Sequence, residues 1–255
     1  MVARSLTVAG KEVARIGLGT NRLTPAPEHQ AFLREAVEAG LGTIDTAHSY
    51  SGGDSERAIG EALSPPPEGL VIATKGGYSG TASTEELRAQ IERSFESLRT
   101  DAIDLYYLHR VHPEIPMEES LDAIAEYREA GRIREIGISA VDVGQVEAAR
   151  EVVPIAAVQN HYNVTDRDSD DVVDYCEENG IAFVPYYPVK GDDPPGLAEV
   201  AEAHGASTTQ IKLAWLLRRS PVMLPIPGTL SIEHLRENLG ALEIELTDEE
   251  FEALG

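Results

Sequence analysis

The stretch GTIDTAHSYSGGDSERAIGEAL, residues 42–63, contains the features that decide the fold. A short apolar run, Thr43-Ile44, meets a carboxylate at once in Asp45. Tyr50 follows in a glycine-rich loop, and a helix-like segment comes after that loop. We therefore ask why a buried strand ends on a carboxylate, and why a tyrosine stands in the loop that follows.

Short apolar runs alternate with helical patterns along the rest of the chain. We predict eight strands, at residues 15–19, 42–46, 70–74, 104–109, 135–139, 155–160, 181–186 and 221–227. The helix predicted over 83–98 begins with a capping-box signature, Ser83 and Glu86, and Gly131 and Gly180 are predicted to end two later helices. Eight strands separated by helices are the pattern of an α/β protein of the (β/α)8 TIM-barrel type.

The segment before the first strand, residues 6–17, has the pattern of a small β-hairpin that would close the bottom of the barrel. A doubly wound sheet is the alternative fold. It would be favoured by a G-x-G-x-x-G turn after the first strand, which GLGTNR at residues 17–22 does not supply. Because no Pro/Ser-rich linker or change of composition divides the chain, we expect one domain over residues 1–255.

The composition is acidic, with a formal net charge of −23, and this charge argues against nucleic acid or an anionic membrane as a partner. No window is apolar enough to span a membrane, and the N-terminal segment lacks the apolar stretch of a signal peptide. The single cysteine, Cys176, suits a reducing compartment. We expect a cytoplasmic protein, either a monomer or a weak oligomer. The scarcity of lysine favours a halophilic source over an ordinary acidic cytosolic one.

Polar residues stand at the ends of three consecutive predicted strands. The second strand ends on Asp45 with Tyr50 in the loop after it, the third ends on Lys75, and the fourth ends on His109. In a (β/α)8 barrel, catalytic residues lie at the carboxyl ends of the strands. An acid, a phenol, an ammonium and an imidazole are therefore expected to meet at one rim.

These four residue types suit the protonation of an alkoxide while hydride arrives at a carbonyl carbon. Tyrosine has a pKa near 10 in water, and a neighbouring ammonium is expected to lower the pKa of Tyr50 and ease proton transfer. Lys75 can supply that charge, and Asp45 can keep Lys75 protonated and oriented. A neutral His109 can donate a hydrogen bond to the carbonyl oxygen.

Structural roles are the alternatives for the same residues. Asp45 could cap a strand or helix, Lys75 could lie at a strand edge, and Tyr50 could be an ordinary loop aromatic. His109 and His112 have the spacing of an H-x-x-H metal motif, but no third ligand is evident, so we predict no metal site. Cys176 is expected in the core.

The motifs identify the sequence as similar to the aldo-keto reductase superfamily, within its branch of general bacterial and archaeal reductases. The motifs that carry the resemblance are IGLGT, IDTAHSY followed by ERAIGEAL, VIATKGG, DLYYLH, GRIREIGIS, VQNHYN and IPGTLSIEHLRENL. The resemblance implies a nicotinamide cofactor and the reversible reduction of aldehydes or ketones. It also implies that Asp45, Tyr50, Lys75 and His109 form the catalytic tetrad.

The resemblance also implies where the cofactor binds. Ser139 and Gln159 would hold the nicotinamide carboxamide, Tyr186 would stack on its ring, and residues after the eighth strand would bind the adenosine phosphate. The implied cofactor positions are Gly19, Thr20, Ser139, Gln159, Asn160, Tyr186, Val189, Lys190, Gly228, Thr229, Ser231, His234, Glu237 and Asn238.

Several of these positions depart from the family pattern. Ala140 stands where an asparagine is usual, so Asn160 is a candidate to replace its contact, and Tyr187 stands where serine is common. Gly228 and His234 replace the lysine and arginine that pair with the 2′-phosphate in much of the family. NADP(H) is still favoured as the cofactor, with NAD(H) as the alternative.

The loops after the strands are short, which predicts an open substrate pocket for small carbonyl compounds. We expect Asn21, His48, Tyr78 and His112 to line this pocket, although the family does not fix position 48. Aromatic and sugar-derived aldehydes, including pyridoxal, are candidate substrates. Two other functions remain open, a cofactor-binding regulatory or redox-sensing barrel and a metal-dependent hydrolase.

Overall fold

Parallel strands alternate with helices along the computed structural model, which describes residues 3–78 and 83–255. The strands are β1 (Ser5–Val8), β2 (Lys11–Ala14), β3 (Leu18–Gly19), β4 (Thr43–Asp45), β5 (Val71–Gly76), β6 (Ile103–Leu108), β7 (Ile133–Ser139), β8 (Ile155–Gln159) and β9 (Ala182–Phe183). The helices are α1 (Pro27–Glu38), α2 (Asp54–Leu63), α3 (Thr84–Leu98), α4 (Met117–Glu129), α5 (Val143–Val152), α6 (Asp170–Asn179), α7 (Leu197–His204), α8 (Thr208–Arg219), α9 (Ile232–Gly240) and α10 (Asp248–Leu254). β3 to β9 form one parallel sheet in chain order.

The eighth predicted strand closes the sheet, but its pairing is interrupted. Single parallel bridges join this segment to β9 through Met223 and to β3 through Gly228. Pro225 and Pro227 have no N–H to donate to a ladder. Their carbonyl oxygens still accept hydrogen bonds from Gly17 and Gly19, at 2.9 and 3.4 Å. The predicted (β/α)8 barrel is therefore confirmed, with seven regular strands and a proline-interrupted eighth segment.

The hairpin β1–β2 packs against the amino ends of the barrel strands. Its turn residues, Ala9 and Gly10, have φ of 50° and 73°, and two positive φ angles suit the twist of a two-residue hairpin. Val8 and Val13 pack with the interior residues of the barrel. The hairpin thus closes the bottom, as predicted.

A buried arginine holds this end of the barrel together. The guanidinium of Arg15 donates hydrogen bonds to the carbonyl oxygens of Ala3, Leu217, Ser220 and Met223. Burial lowers the pKa of Arg15 to about 10, so the group stays charged at neutral pH. The charge is compensated by backbone carbonyls, which join the hairpin to α8 and the eighth segment.

The helix ends carry the predicted caps, although only the serine half of the capping box forms at α3. The Ser83 side chain accepts a hydrogen bond from the Glu86 backbone N–H at the start of α3, while the Glu86 carboxylate accepts from Arg93. Gly180 ends α6 with a left-handed φ of 64°. Cys176 is buried on α6, and burial raises the pKa of its thiol to about 12. In the described residues, no helix is both long and apolar enough to cross a membrane.

Candidate active site

The two-residue period of the strands determines which side chains enter the barrel. The interior core includes Val71 and Ala73 of β5 and Leu105 and Tyr107 of β6. Ile72, between the first two, packs outward under the helices. Lys75 and His109 continue the inward series, each two residues further along. The inward-facing residues at the ends of neighbouring strands therefore meet in one layer at the carboxyl end of the barrel.

An ion pair lies at the centre of this layer. Lys75 Nζ is 2.6 Å from Asp45 Oδ1 and also donates to the carbonyl oxygen of Thr46 at 2.6 Å. Both side chains are buried, with 0% and 3% exposed. Burial alone would lower the pKa of Lys75. The neighbouring Asp45 and Tyr50 raise this pKa by more than burial lowers it, so the net shift is upward. Lys75 therefore carries its charge at neutral pH.

Gln159 holds the other oxygen of the same carboxylate. Its Nε2 donates to Asp45 Oδ2 at 2.9 Å, and its side chain is buried. Both oxygens of Asp45 are thus engaged, one by a cation and one by an amide. This arrangement fixes the orientation of the carboxylate and hence the position of Lys75 Nζ.

Tyr50 reaches the ion pair from the loop after β4. Its hydroxyl is 3.4 Å from Lys75 Nζ, which lies 4.8 Å from the tyrosine ring centroid. The next residues, Ser51, Gly52 and Gly53, have φ of 51°, 67° and 95°. This left-handed turn returns the chain from Tyr50 to α2, and two glycines remove most of its steric cost.

The expected lowering of the Tyr50 pKa is wrong in its net direction. Burial raises the pKa of Tyr50 more than the charge of Lys75 lowers it, and Asp45 adds to the rise. The Asp45 carboxylate partly offsets the field of the ammonium, so the phenol keeps its proton at neutral pH. The layer thus holds a neutral phenol next to a cation that can stabilise the phenolate.

His109 lies beside Tyr50. The two rings meet edge-on with centroids 6.0 Å apart, and the ring of Tyr78 lies 4.6 Å from that of His109. Burial, reinforced by the charges of Lys75 and Arg110, lowers the pKa of His109 to about 2. The predicted neutral imidazole follows from this environment. Its buried Nδ1 has no hydrogen-bond partner among the residues that the structure describes.

A cleft of about 600 Å³ opens above this layer. It contains most of the residues predicted for the nicotinamide end of the site, together with Asn21 and Tyr78 of the predicted substrate pocket. Its lining residues are Gly19, Thr20, Asn21, Arg22, Asp45, Ser49, Tyr50, Ser51, Tyr78, His109, Arg110, Ser139, Gln159, Tyr186, Tyr187, Pro188, Val189, Lys190, Ile226, Pro227 and Gly228.

His48, His112 and Asn160 lie away from this lining, as do Lys75 beneath it and the predicted residues Thr229 to Asn238. His48 faces a smaller neighbouring pocket together with Lys75 and Glu86. His112 accepts a hydrogen bond from the backbone N–H of Glu114 within its own loop. The Asn160 amide both donates to and accepts from the backbone of Val141. The Asn160 side chain therefore holds the loop after β7. The sequence had suggested a different role for it, a cofactor contact in place of the asparagine that is usual at position 140.

The segment after the eighth strand forms the start of α9. Ser231 caps the helix by accepting from the backbone N–H of His234 at 3.2 Å, and its hydroxyl donates to Glu233 at 2.7 Å. Thr229 Oγ1 accepts from the Ser231 N–H at 3.1 Å. A capped helix N-terminus favours an anion. However, Glu233 places a carboxylate in the first turn of α9. The sequence pattern does not mark this residue as part of the site.

The remaining predicted cofactor positions lie further along α9. Asn238 is buried, His234 is exposed, and the backbone carbonyl of Glu237 accepts from Gln210. The site fits a dinucleotide, since an aromatic ring (Tyr186) and a cation (Lys190) line the cleft, and a capped helix N-terminus begins three residues after the lining residue Gly228.

The charge of the cleft is opposite to that of the whole chain. Arg22, Arg110 and Lys190 line it, and Asp45, which is already paired with Lys75, is its acidic residue. The chain as a whole has 44 acidic and 21 basic residues. The cleft is therefore a cationic site within an acidic protein, which suits anionic ligands.

The comparisons with known proteins agree with this geometry. The model of the aldo/keto reductase family matches residues 15–255. The chain belongs to the aldo/keto reductase family. It is 38% identical to an uncharacterized oxidoreductase of Schizosaccharomyces pombe, over 99% of this chain and 89% of that protein.

Two further relatives carry more specific names. Pyridoxine 4-dehydrogenase of Escherichia coli is 35% identical, over 98% of this chain and 96% of that protein. An aldo-keto reductase of Klebsiella pneumoniae, crystallised with NADPH, has a TM-score of 0.90 at 29% identity, covering 100% of this chain and 94% of its own. This member of the aldo/keto reductase family is therefore an NAD(P)H-dependent oxidoreductase, as its motifs predict.

Because the pKa of His109 is lowered, the stability of this reductase should depend on pH. Above about pH 6.5 neither the folded nor the unfolded chain binds this proton, and His109 brings no penalty. As the pH falls below that value, the unfolded chain takes up the proton while the folded chain does not. Stability should then fall by up to about 1.4 kcal/mol per pH unit from this group.

Replacing His109 by glutamine removes this contribution. We expect His109→Gln to lose less unfolding free energy than the wild type between pH 6.5 and pH 5, as measured by urea denaturation. Equal slopes in the two proteins would mean that His109 is protonated in the folded state.

Proposed function

We propose that this aldo/keto reductase reduces aldehydes or ketones to alcohols with NADP(H), and that Tyr50 donates the proton. The proposal rests on one observation above all, the neutral Tyr50 hydroxyl 3.4 Å from a buried, charged Lys75. A group that keeps its proton until a negative charge develops nearby, next to a cation that stabilises its conjugate base, is suited to general acid catalysis.

Each residue of the layer has a distinct part in this reaction. The carbonyl oxygen of the substrate binds between the Tyr50 hydroxyl and the imidazole of His109, which as a neutral ring can donate one hydrogen bond without competing for the proton. Tyr50 transfers its proton to the developing alkoxide. Lys75 stabilises the phenolate that remains, and Asp45 holds Lys75 in place. In the oxidative direction the phenolate accepts the proton back.

The nicotinamide cofactor, when bound, supplies or accepts the hydride. Ser139, Gln159 and Tyr186 would hold its nicotinamide end, and Lys190 would face its phosphates. The first turn of α9, with Thr229 and Ser231, would receive the adenosine phosphate. The NADPH-bound Klebsiella relative supports NADP(H) as the cofactor.

The residues around the start of α9 determine the choice between NADP(H) and NAD(H). Gly228 and His234 replace the two cations usual in the family, and Glu233 places a negative charge at the same helix start. The pyridoxine dehydrogenase relative supports compact aromatic aldehydes, including pyridoxal, as substrates. The cytoplasmic location, the oligomeric state and the halophilic source remain predictions from composition.

Removal of the Tyr50 hydroxyl should test the reaction. We expect Tyr50→Phe to lower kcat for 4-nitrobenzaldehyde by roughly 10²-fold or more, the scale of general acid catalysis, with NADPH binding retained. The assay follows NADPH oxidation, with NADH compared in parallel. Tyr175→Phe is the matched control, because Tyr175 lies on α6 and is absent from the cleft lining. A rate unchanged by Tyr50→Phe would remove Tyr50 from the mechanism, and a wild type that binds NADPH without turnover would support a regulatory barrel.

Removal of the carboxylate at the start of α9 should test the cofactor site. We expect Glu233→Gln to lower the KM for NADPH by roughly two- to fivefold, the effect of one exposed charge at a helix terminus, and to leave the KM for NADH nearly unchanged. The exposed Glu118→Gln on α4 is the control. Equal changes for both cofactors would place the 2′-phosphate away from Glu233.

A further inference from the structure

Arg110 lines the cleft but has no role in the proposed reaction. It follows His109 directly, and its Nη1 donates to the His109 carbonyl oxygen at 2.9 Å and to Ser139 Oγ at 3.1 Å. Its guanidinium carbon lies 5.7 Å from the ring centroid of Tyr78 and 5.7 Å from that of Tyr186. The guanidinium is therefore held in a defined position between two aromatic rings.

This position is close to the place where the carbonyl would be reduced. The ring of Tyr78 contacts both the Arg110 guanidinium and, with centroids 4.6 Å apart, the imidazole of His109. Arg110 is only partly buried and lines the open cleft, so a ligand can reach it. A substrate bound at Tyr50 and His109 would have its remaining groups beside Arg110.

The guanidinium retains unused binding capacity. Most basic side chains of this chain pair with a carboxylate, but for Arg110 the described residues include no ion pair and no hydrogen bond at Nε or Nη2. The planar edge of a guanidinium matches a carboxylate or phosphate and can bind it through two parallel hydrogen bonds. Because Arg110 lines an open cleft and is held there by Ser139 and the His109 carbonyl, its unpaired edge is available to an anionic ligand.

The other cations of the cleft have a different position. Arg22 Nη2 donates to Gly228 O at 3.4 Å, and Lys190 Nζ lies 4.3 Å from the ring centroid of Tyr187. Lys190 is proposed to face the cofactor phosphates, whereas Arg110 follows His109 and contacts Ser139 and Tyr186, at the end proposed for the nicotinamide and the reacting carbonyl. Its charge also contributes to the lowered pKa of His109, after burial and Lys75, so it acts on the reacting groups.

We propose that Arg110 binds an anionic group of the substrate, so that the preferred substrates are aldehydes or ketones with a carboxylate or a phosphate near the carbonyl. This inference rests on the proposed carbonyl reduction and adds a substrate class to it. Arg110 binds the anion through its free edge, while Nη1 stays on Ser139 and the His109 carbonyl. The anion orients the substrate, and Tyr50 and His109 act on the carbonyl.

The experiment uses two aldehydes that differ in charge and little in shape, 4-carboxybenzaldehyde and its methyl ester, with NADPH as the reductant. The wild type should prefer the acid in kcat/KM. Arg110→Gln should lower kcat/KM for the acid by at least roughly tenfold, the effect of losing a hydrogen bond to a charged group, and mainly through KM. The value for the ester should change by less than about threefold, within the range expected for a neutral contact.

Two further variants separate anion binding from a structural effect. Arg110→Lys should restore part of the preference for the acid, because it keeps the charge and loses the planar edge. Arg34→Gln, on α1 and outside the cleft lining, is the matched control and should leave both values unchanged. Circular dichroism should show that all variants are folded.

The outcomes distinguish the inference from the proposed function. If the wild type reduces both aldehydes equally well, the assigned role of Arg110 is wrong and carbonyl reduction stands. The same holds if Arg110→Gln impairs both aldehydes equally and raises the KM for NADPH, since Arg110 would then only position Ser139. If the wild type reduces neither aldehyde, carbonyl reduction fails, and the substrate class fails with it.

Discussion

The buried ion pair between Lys75 and Asp45 is the interaction on which the rest of the site depends. Removing two charges from water is costly, and the attraction between them offsets the cost only when the geometry is good and the remaining polar atoms are paired. Here the backbone of Thr46 accepts from Lys75 and the amide of Gln159 donates to Asp45. A pair held from both sides fixes a positive charge 3.4 Å from the Tyr50 hydroxyl.

The ion pair also explains the protonation states around it. Asp45 moderates the field that Lys75 exerts on Tyr50, so burial dominates and the pKa of the phenol rises. No carboxylate is among the causes of the shift at His109, where burial, Lys75 and Arg110 all lower the pKa. A neutral phenol and a neutral imidazole can therefore lie beside a charged ammonium. Charge is concentrated on Lys75, which transfers no proton in the proposed reaction.

The fold and the central layer could be predicted from the sequence because both follow from periodicity. Inward residues recur every second position along a strand, so polar residues ending successive apolar runs must share one rim. The finer features depend on the surroundings of each residue. The burial that reverses the shift at Tyr50, the prolines that interrupt the eighth strand, and the loop contact of Asn160 needed coordinates. The sequence does not single out Arg110 and Glu233 as site residues, because a charged residue in so charged a chain cannot be told from an ordinary surface residue.

If Lys75 and Asp45 act as one unit on Tyr50, a double-mutant cycle of the two residues will show their coupling. The measurement is kcat/KM for one neutral aldehyde with the wild type, Lys75→Met, Asp45→Asn and the double variant. We expect strong non-additivity, with the double variant no worse than the poorer single variant. Losses that multiply in the double variant would show that the two residues act independently and that the ion pair is not one functional unit.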